Sequence, residues 1–568
     1  MTVNITSLFS DNLDIWTTAV ERKSGAGRGG GKKILCYGVD CLRTLILDLA
    51  MRGKLVPQEP SDEPARNLLH RVSKAREAFI GKKGREAKSA SQPLGHDLPE
   101  GWECVTLDEL ANSQAGFAFK SGGFNEQGIG LPLIRIRDVG QPFTGTFYAG
   151  DYREEFVVQR GDYLISMDGN FRVAPWEGEA ALLNQRVSRL QFYSDEIEPR
   201  FVAIELQVEL SKLQGVKAYT TVDHLSGKQI AETRISLPPL PEQRRIVAKV
   251  DELMALCDAL EAESVEAMAA HQELVEALLA TLTASTSAAD LATNWTRLQK
   301  HFDTLFTSEA SIDTLKRTIL ELAVRGKLVP PDASEDTAAT LIKKWENAKQ
   351  HSFANSGDHR IKVAPKPDTP PFDLPPHWQF QSFENIFLFI DYRGNTPPKT
   401  QSGIPLITAK NVRMGYLDRE PREFISDDTF SKWMSRGFPA LGDLFFTTEA
   451  PLGNICLNDI EEPFAIAQRL ICFQPFGPTN THFYMLAIMS QSVQRVIDDN
   501  ATGMTARGIK AAKLKLIPLP VPPEAEQARI VSKVEELMAL CEALRVRIRD
   551  AAATQHHLAD AVVEQAAA

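Results

Sequence analysis

The sequence is poor in the residues and segments that mark secreted, metal-binding and membrane proteins. Its 568 residues include only seven cysteines, none of them in a C-x-x-C pair, so neither a disulfide framework nor a zinc site is expected. No apolar run approaches the ~18 residues that a membrane helix needs. The first residues also lack a basic stretch followed by a long apolar one, so no secretory signal is expected. We therefore expect a cytoplasmic protein without bound metal.

Positive charge is also scarce. The formal net charge is −11. Nucleic-acid binding usually depends on Lys and Arg that neutralise phosphates, so this balance argues against such a partner unless the positive groups gather on one face. Residues 99–240 contain 13 Lys and Arg against 20 Asp and Glu, and residues 375–522 contain 14 of each. Neither segment is basic as a whole.

Catalytic signatures are missing as well. Residues 25–30 fit G-x-G-x-x-G, but no apolar strand precedes them, so a glycine-rich linker is the better interpretation. The Thr-Pro-Pro-Phe at 369–372 has Thr where an amino-methyltransferase needs Asn or Asp. We expect no catalytic site in this chain.

The main positive feature is a long internal repeat. ILDLAMRGKLVP at 46–57 recurs as ILELAVRGKLVP at 319–330, and EQRRIVAKV at 242–250 recurs as EQARIVSKV at 526–534. Between these near-identical segments, residues 103–235 and 379–517 agree only at scattered positions. The pattern indicates one scaffold, present twice, that holds two divergent modules.

Two segments carry the 3.5-residue apolar stripe of a coiled coil, each beginning after a proline-rich stretch. The same stepping extends the stripe through Leu274 to Leu278 in the first segment and through Leu558 to Val562 in the second. We expect the two helices to pair with each other; the alternative is that each packs on its own neighbouring module. His271 lies on the stripe and is interpreted as a tolerated polar residue, not a metal ligand. The seam positions are Ile246, Val250, Leu253, Leu260, Ile530, Val534, Leu537 and Leu544.

Both modules combine short apolar runs typical of strands with amphipathic helices, and their loops carry glycine together with basic or amide side chains. Such side chains suit phosphates and base edges. The Gln-Arg pairs 185–186 and 468–469 occur in both modules; they either brace the fold or face a ligand. The candidate DNA-binding residues are Lys120, Arg135, Arg137, Asn170, Arg172, Lys217, Arg393, Lys399, Lys410, Arg413, Arg507 and Lys510.

These features resemble the specificity subunits of type I restriction–modification systems. The resemblance covers about residues 39–568 and rests on paired L-P-x-x-W openings at 98–102 and 374–378, on GDYLIS at 161–166, on LNQRV at 183–187, and on LPPLPEQRRIV at 237–247. It implies an α+β fold in which two mixed α/β target-recognition domains, in tandem repeat, are joined by two long helices that form an antiparallel coiled coil.

The resemblance also implies a function and a set of partners. Each domain would read one half of a bipartite double-stranded DNA site, and the helices would set the gap. Two adenine methyltransferase subunits that use S-adenosylmethionine would dock on the chain, with restriction and translocase subunits that use ATP and magnesium. It further implies that loops 166–172 and 447–454 approach DNA. The expected segments are an extension at 1–38, a proximal conserved region at 39–96, recognition domains at 97–240 and 373–523, a central conserved region at 241–372 with a helix at 242–283, and a distal helix at 524–568.

One alternative stays open from the residues alone. The coiled coil could organise two protein-binding modules with no DNA contact, since the net charge is negative.

Overall fold

The computed structural model describes residues 5–23, 33–81, 97–215, 224–356, 370–392, 396–467, 469–503 and 507–567. The chain divides into two compact units: unit 1 is Met1–Ala267 with Ala552–Ala568, and unit 2 is Met268–Ala551. The predicted glycine-rich linker at 25–30 lies outside the described residues. Within the described ranges, no helix is both long and apolar enough to cross a membrane.

Unit 1 holds a group of helices with a small hairpin, followed by the first module. Its helical group is α1 (Ile5–Asp11), α2 (Leu13–Thr18), β1 (Glu21–Lys23), β2 (Lys33–Leu35), α3 (Tyr37–Met51) and α4 (Ala65–Ile80). The module consists of β3 (Glu103–Thr106), α5 (Leu107–Leu110), β4 (Ala111–Ala115), β5 (Phe124–Asn125), β6 (Leu131–Ile134), β7 (Phe147–Tyr148), β8 (Val157–Val158), β9 (Tyr163–Ser166), β10 (Val173–Pro175), β11 (Ala181–Leu183), β12 (Val187–Phe192), α6 (Pro199–Gly215), α7 (Gly227–Ala231) and β13 (Arg234–Leu237). The first long helix, α8 (Leu240–Ala284), begins here.

Unit 2 repeats this order. After α8 come α9 (Ala288–Lys300), α10 (Phe302–Leu305), α11 (Glu309–Val324) and α12 (Ala338–Ser356). The second module consists of β14 (Gln379–Ser382), α13 (Phe383–Ile386), β15 (Phe387–Asp391), β16 (Ile404–Ile407), β17 (Phe424–Ile425), α14 (Asp427–Trp433), β18 (Leu444–Thr447), β19 (Ile455–Leu457), β20 (Ala465–Ile466), β21 (Leu470–Pro475), α15 (Thr481–Met489), α16 (Gln491–Asp499), α17 (Ala511–Leu514) and β22 (Pro518–Val521). The second long helix is α18 (Glu524–Ala567).

The two modules share one sheet topology despite their divergent sequences. A four-stranded antiparallel sheet has the order β10-β9-β12-β4 in the first and β19-β18-β21-β15 in the second. A second sheet contains one parallel pair in each module, β6 with β11 and β16 with β20. A two-stranded base, β3 with β13 and β14 with β22, closes each module. The predicted mixed α/β modules of an α+β fold are confirmed.

The Glu-Gln-x-Arg segment is nearly identical in both copies because it joins three parts of each unit. The Gln243 amide donates to Pro238 O at 2.8 Å, and its oxygen accepts from Glu198 N at 3.0 Å. Gln527 repeats this, donating to Pro522 O at 3.2 Å and accepting from Asn480 N at 3.1 Å. Each buried glutamine therefore joins the proline stop to the module and to the start of the long helix.

The arginine of the same segment fixes the conserved region before each module. Arg245 contacts Asp62 at 2.7 Å. Arg529 forms a bidentate pair with Glu335 at 3.0 and 2.8 Å and also donates to Pro330 O at 2.8 Å. The repeat at sequence level is thus a repeat of tertiary contacts.

Helix α8 begins in unit 1 and ends in unit 2, whereas α18 begins in unit 2 and ends in unit 1. The two helices are in contact, as predicted. Of the eight predicted seam residues, six are buried, and Leu537 and Leu544 are half-buried. Farther along each helix the predicted stripe is wrong by one position, because Leu274 and Leu558 are exposed. Their neighbours Val275 and Ala559 are buried instead.

A third helix contacts both long helices in each unit, so the long helices are not covered by each other alone. In unit 1, α3 reaches α8 through Arg43 and Asp258 at 2.7 Å, and it reaches α18 through Tyr37 and Asp560 at 2.7 Å. In unit 2, α11 makes the matching contact between Lys316 of α11 and Glu542 of α18 at 2.6 Å. In unit 2, His271 Nε2 lies 3.0 Å from the backbone oxygen of Thr304 in α10. The histidine on the predicted stripe therefore contacts the backbone of a neighbouring helix.

Part of the predicted N-terminal extension at 1–38 is folded structure within unit 1. Trp16 is fully buried. Gly38 N donates to Ala19 O at 3.0 Å, and a Cβ on Gly38 would lie 2.6 Å from Trp16 O. His556 of α18 lies 3.2 Å from Val20 O. The described part of this segment is therefore packed structure and not only a link.

The Arg529→Ala substitution is expected to loosen residues 330–336, because the bidentate pair and the carbonyl contact are lost together. Charge-assisted hydrogen bonds of this kind contribute about 1.5–3 kcal/mol. Hydrogen exchange of the segment measures the effect, and the matching residues 57–63 of unit 1 serve as an internal control. Lys533→Ala, which removes an exposed pair with Glu536 one turn away, is expected to leave exchange unchanged. Equal exchange in both variants would contradict the role of Arg529.

Glu205 of α6 is expected to make the stability of the first module depend on pH. Its carboxyl is buried and accepts from Ser236 N at 2.6 Å, and burial raises its pKa from an ordinary 4.5 to about 8. Because the folded pKa is the higher one, the stabilisation is fully present below about pH 4.5 and is lost as the pH rises through about 8. Hydrogen exchange of α6 at pH 5 and pH 8.5 measures this difference.

Glu205→Gln is the matched variant, since it keeps the acceptor for Ser236 and removes the titration. It is expected to abolish the pH difference in α6. The second module supplies a control, because Ala487 stands in α15 seven residues after Asn480, just as Glu205 stands seven residues after Glu198. A pH response in α15 as large as that in α6 would contradict the assignment to Glu205.

Candidate nucleic-acid interface

The loops of the first module gather at one end of its four-stranded sheet. β4 ends at Ala115 and β9 ends at Ser166, while β12 begins at Val187, and these ends are paired in register. The parallel strands β6 and β11 also end together, and Phe117 N donates to the last residue of β11 at 2.9 Å. We call this end recognition edge 1. Its residues are 116–117, 135–138, 167–172, 184–186 and 224.

The second module forms an equivalent end. β18 ends at Thr447 opposite the first residue of β21, and the parallel strands β16 and β20 end together. The backbone N of Ile509 donates to Thr448 O at 2.9 Å, which joins the segment before α17 to the same place. We call this end recognition edge 2. Its residues are 408–413, 448–454, 467, 469 and 507–510.

A hydroxyl group closes the loop after β9 and the loop after β18. Ser166 Oγ accepts from Arg172 N at 2.9 Å, and Thr447 Oγ1 accepts from Asn454 N at 3.0 Å. The backbone closes the same loops, from Ser166 N to Arg172 O at 3.0 Å and from Thr447 N to Asn454 O at 2.9 Å. Each loop is therefore fixed at its base by its own first and last residues.

One buried side chain organises the turn that follows β6, and another that follows β16. Asp138 accepts from Arg135 N at 2.8 Å and from Thr144 N at 2.9 Å. Asn411 accepts from Thr408 N at 3.0 Å but also donates to the carbonyl oxygens of Asp418 and Pro421, both at 3.1 Å. The two turns thus share a position but need different chemistry, because an amide can both accept and donate whereas a carboxylate only accepts.

Most predicted DNA-binding residues of the first module lie at recognition edge 1. Asn170 is exposed in the loop after β9, and the backbone of Arg172 ends that loop. Arg135 is half-buried, and the guanidinium of Arg137 contacts Thr144 and Thr146 at 2.8 and 3.2 Å. Lys120 is exposed in the loop after β4, outside the edge as defined. Lys217 lies outside the described residues.

The cations predicted in the second module are held by acidic neighbours. Lys399 and Lys410 both contact Glu423, at 2.7 and 3.3 Å. Burial opposes ionisation of Glu423, but the two lysines outweigh it and lower the pKa of its carboxyl. Arg413 pairs with Asp418 at 3.2 Å.

Two further predicted cations of the second module lie after α16. Arg507 pairs with Asp498 at 2.7 Å. Lys510 is exposed at the start of α17. Arg393 lies outside the described residues. Loop 447–454, which contains no Arg or Lys, therefore has Lys510 and Arg469 near it from other segments.

The predicted DNA-binding residues did not include two arginines that the structure places at the recognition edges. Arg186 contacts Asp168 at 3.3 Å at recognition edge 1, and Arg469 contacts Glu449 at 2.8 Å at recognition edge 2. The Gln-Arg pair that recurs in both modules could have indicated these arginines. Gln468 of the second pair lies outside the described residues. Tyr416, 61% exposed in the turn after Arg413, was also missed. Within the described ranges, no three His, Cys, Asp or Glu side chains form a group that could hold a metal ion.

Comparison with known proteins identifies the family of this chain. The family model described as type I restriction modification DNA specificity domain matches residues 99–267 and 390–551. The chain belongs to this family. The EcoAI specificity subunit of Escherichia coli is 32% identical over 99% of this chain and 100% of its own length, and the EcoEI subunit is 31% identical over 99% of both. The HsdS subunit of Thermoanaerobacter tengcongensis, a solved structure, is 17% identical and covers 83% of this chain and 98% of its own, with a TM-score of 0.38.

The predicted resemblance is confirmed, and the chain is a non-catalytic specificity subunit of a type I restriction–modification system. The predicted extent of the resemblance was too short. The full-length relatives align with 99% of the chain, so the N-terminal residues before 39 belong to the matched region.

Asp138→Asn is expected to loosen the turn 135–146 of this specificity subunit. The new amide would point N–H donors at backbone N–H donors, and an unmatched buried donor costs about 1–3 kcal/mol. Faster hydrogen exchange in this turn checks the prediction.

Asn411→Asp is the reciprocal substitution, since it places a carboxylate against two carbonyl oxygens. It is expected to loosen the turn 408–418 while the turn 135–146 keeps its exchange rate. Asp151→Asn, in an exposed loop of the first module, serves as the neutral control. If all three variants exchanged like the wild type, the organising role of these side chains would be refuted.

Proposed function

We propose that each module reads one half of a bipartite, asymmetric double-stranded DNA site. The observation that carries the proposal is the pair of equivalent recognition edges. Both are built on the same strand ends, yet the side chains they present differ, so two edges on one scaffold suit two different sequences. Family membership supplies DNA as the ligand.

In this proposal the long helices set the gap between the two halves, and methylation and cleavage belong to partner subunits. Two adenine methyltransferase subunits would supply the reaction with S-adenosylmethionine, and restriction and translocase subunits would use ATP and magnesium. The complex would act in the cytoplasm. Partner subunits would also share in neutralising phosphates, which accounts for DNA binding by a chain whose net charge is −11.

Deletion of the gene for this chain is expected to remove adenine methylation at one split motif with a gap of several base pairs. Genome-wide mapping of methylated adenine, with the methyltransferase genes left intact, measures the loss. Complementation with the wild-type gene is the control. An unchanged methylation map after deletion would defeat the proposal.

Exchange of residues 97–240 for the corresponding module of another family member is expected to change one half of the motif only. The reason is that the strands and edge of the first module are complete within that segment, so the second edge is left unaltered. The reciprocal exchange of residues 373–523 is expected to change the other half. A change in both halves from either exchange would show that the modules do not read independently.

A further inference from the structure

Arg186 and Arg469 occupy the same place in the two recognition edges. Met167 N donates to Arg186 O at 3.0 Å, and Thr448 N donates to Arg469 O at 3.0 Å. A second bond repeats next to them, from Leu225 N to Met167 O at 2.8 Å in the first module and from Ile509 N to Thr448 O at 2.9 Å in the second. The two arginines therefore hold the same position in the backbone of their modules, although Arg469 has a positive φ of 71°.

Each of these arginines contacts a carboxylate from the loop after β9 or β18 through its Nε atom. The partner is Asp168 in the first module and Glu449 in the second. The Arg186 side chain is 53% exposed and that of Arg469 is 48% exposed. Nη1 of Arg186 also lies 3.3 Å from His224 Nδ1. A guanidinium has five N–H donors in a planar fork that suits phosphate, so each arginine keeps donors for a further acceptor.

The stability that these two ion pairs supply does not explain why the same arginine recurs in both modules. An ion pair with a half-exposed arginine contributes little to stability. The loops that carry Asp168 and Glu449 are already closed by Ser166 and Thr447 and by the repeated backbone bonds. A bracing role would therefore need neither the same residue type nor the same exposure in both modules.

Other cations at the edges differ between modules in identity or in setting. Thr408 stands where the first module has Arg135. Lys410, which stands where the first module has Arg137, contacts a carboxylate, whereas Arg137 contacts two threonine hydroxyls. Residues that read different bases must differ, whereas a contact with the DNA backbone can be the same in both halves.

We propose that Arg186 and Arg469 each contact a backbone phosphate of the DNA half-site and so make one equivalent, sequence-independent contact per module. The inference rests on the proposed function and deepens it. Asp168 and Glu449 orient the guanidinium before DNA arrives and oppose the approach of the phosphate by their own charge. In the first module, His224 Nδ1 lies 2.6 Å from the Asp168 carboxylate. In the second module, Gly508 forms a backbone β-bridge with Glu449.

The test measures DNA binding by the chain purified with its methyltransferase subunit, across a series of salt concentrations. Arg186→Ala and Arg469→Ala are each expected to weaken binding on the order of tenfold for a duplex with the methylated motif. They are expected to weaken binding by the same factor for a duplex with that half of the motif changed. The slope of log affinity against log salt is expected to fall by about one, and the methylated motif is expected to stay the same.

The carboxylate variants are expected to act in the opposite direction. Asp168→Asn and Glu449→Gln remove a negative charge beside the phosphate and are expected to strengthen binding to both duplexes. Arg160→Ala is the control, because Arg160 is exposed in the turn before β9, at the other end of that strand from recognition edge 1. It is expected to change neither the affinity nor the salt slope.

Three results would overturn the inference. A methylated motif altered in one half would make the arginine a base reader. Loss of hydrogen-exchange protection in 166–172 or 447–454 of the arginine variants would make it a brace. Wild-type affinity and salt slope in both variants would leave it without a DNA contact. Failure of the proposed function is distinguishable, because the wild-type complex itself would then show neither salt-dependent DNA binding nor a split motif.

Discussion

The fold depends on the apolar stripes of α8 and α18. Neither helix can bury its stripe without residues that lie far away in the sequence. The start of α8 is buried in a unit that also contains the last residues of α18, and the start of α18 is buried in a unit that contains the end of α8. A third helix, α3 or α11, packs against both in each unit and adds ion pairs at the edge of the stripe. Residues far apart in sequence must therefore meet before either unit is complete. The recognition edges are supported by this arrangement through Gln243 and Gln527, which join each module to its helix.

The internal repeat shows which contacts the scaffold requires and which it tolerates in altered form. Arg76 pairs with Asp108 at 2.8 Å and lies 6.0 Å from the Tyr193 ring. In unit 2, Lys349 donates to Glu384 O at 2.7 Å and lies 5.5 Å from the Phe476 ring. In both, a cation from the helix before the module stands over an aromatic ring of the module. Each unit thus keeps a positive charge beside an aromatic ring at this place, although the residue types differ.

Much of the architecture could be predicted from the sequence because its signals are periodic or repeated. The repeat predicted two copies of one scaffold, and the stripe predicted two long helices. The stripe failed at Leu274 because a period taken from a two-helix seam does not describe a helix that a third helix also covers. The site was harder to predict, since exposure and partners depend on tertiary structure. Glycine with basic residues predicted a loop at 168–172, and the structure has a loop there between β9 and β10. No local pattern shows that Glu423 holds Lys399 and Lys410.

The closed base of the loops after β9 and β18 has an evolutionary consequence. Because Ser166 and Thr447 anchor each loop to its own last residue, the tip can gain, lose or replace amino acids while the strand beneath keeps its register. The six positions that follow Ser166 and the seven that follow Thr447 already differ in length and charge. Mutations at the exposed positions of such a tip carry little penalty on folding, so selection can diversify the loop in small steps while the rest of the module stays constant.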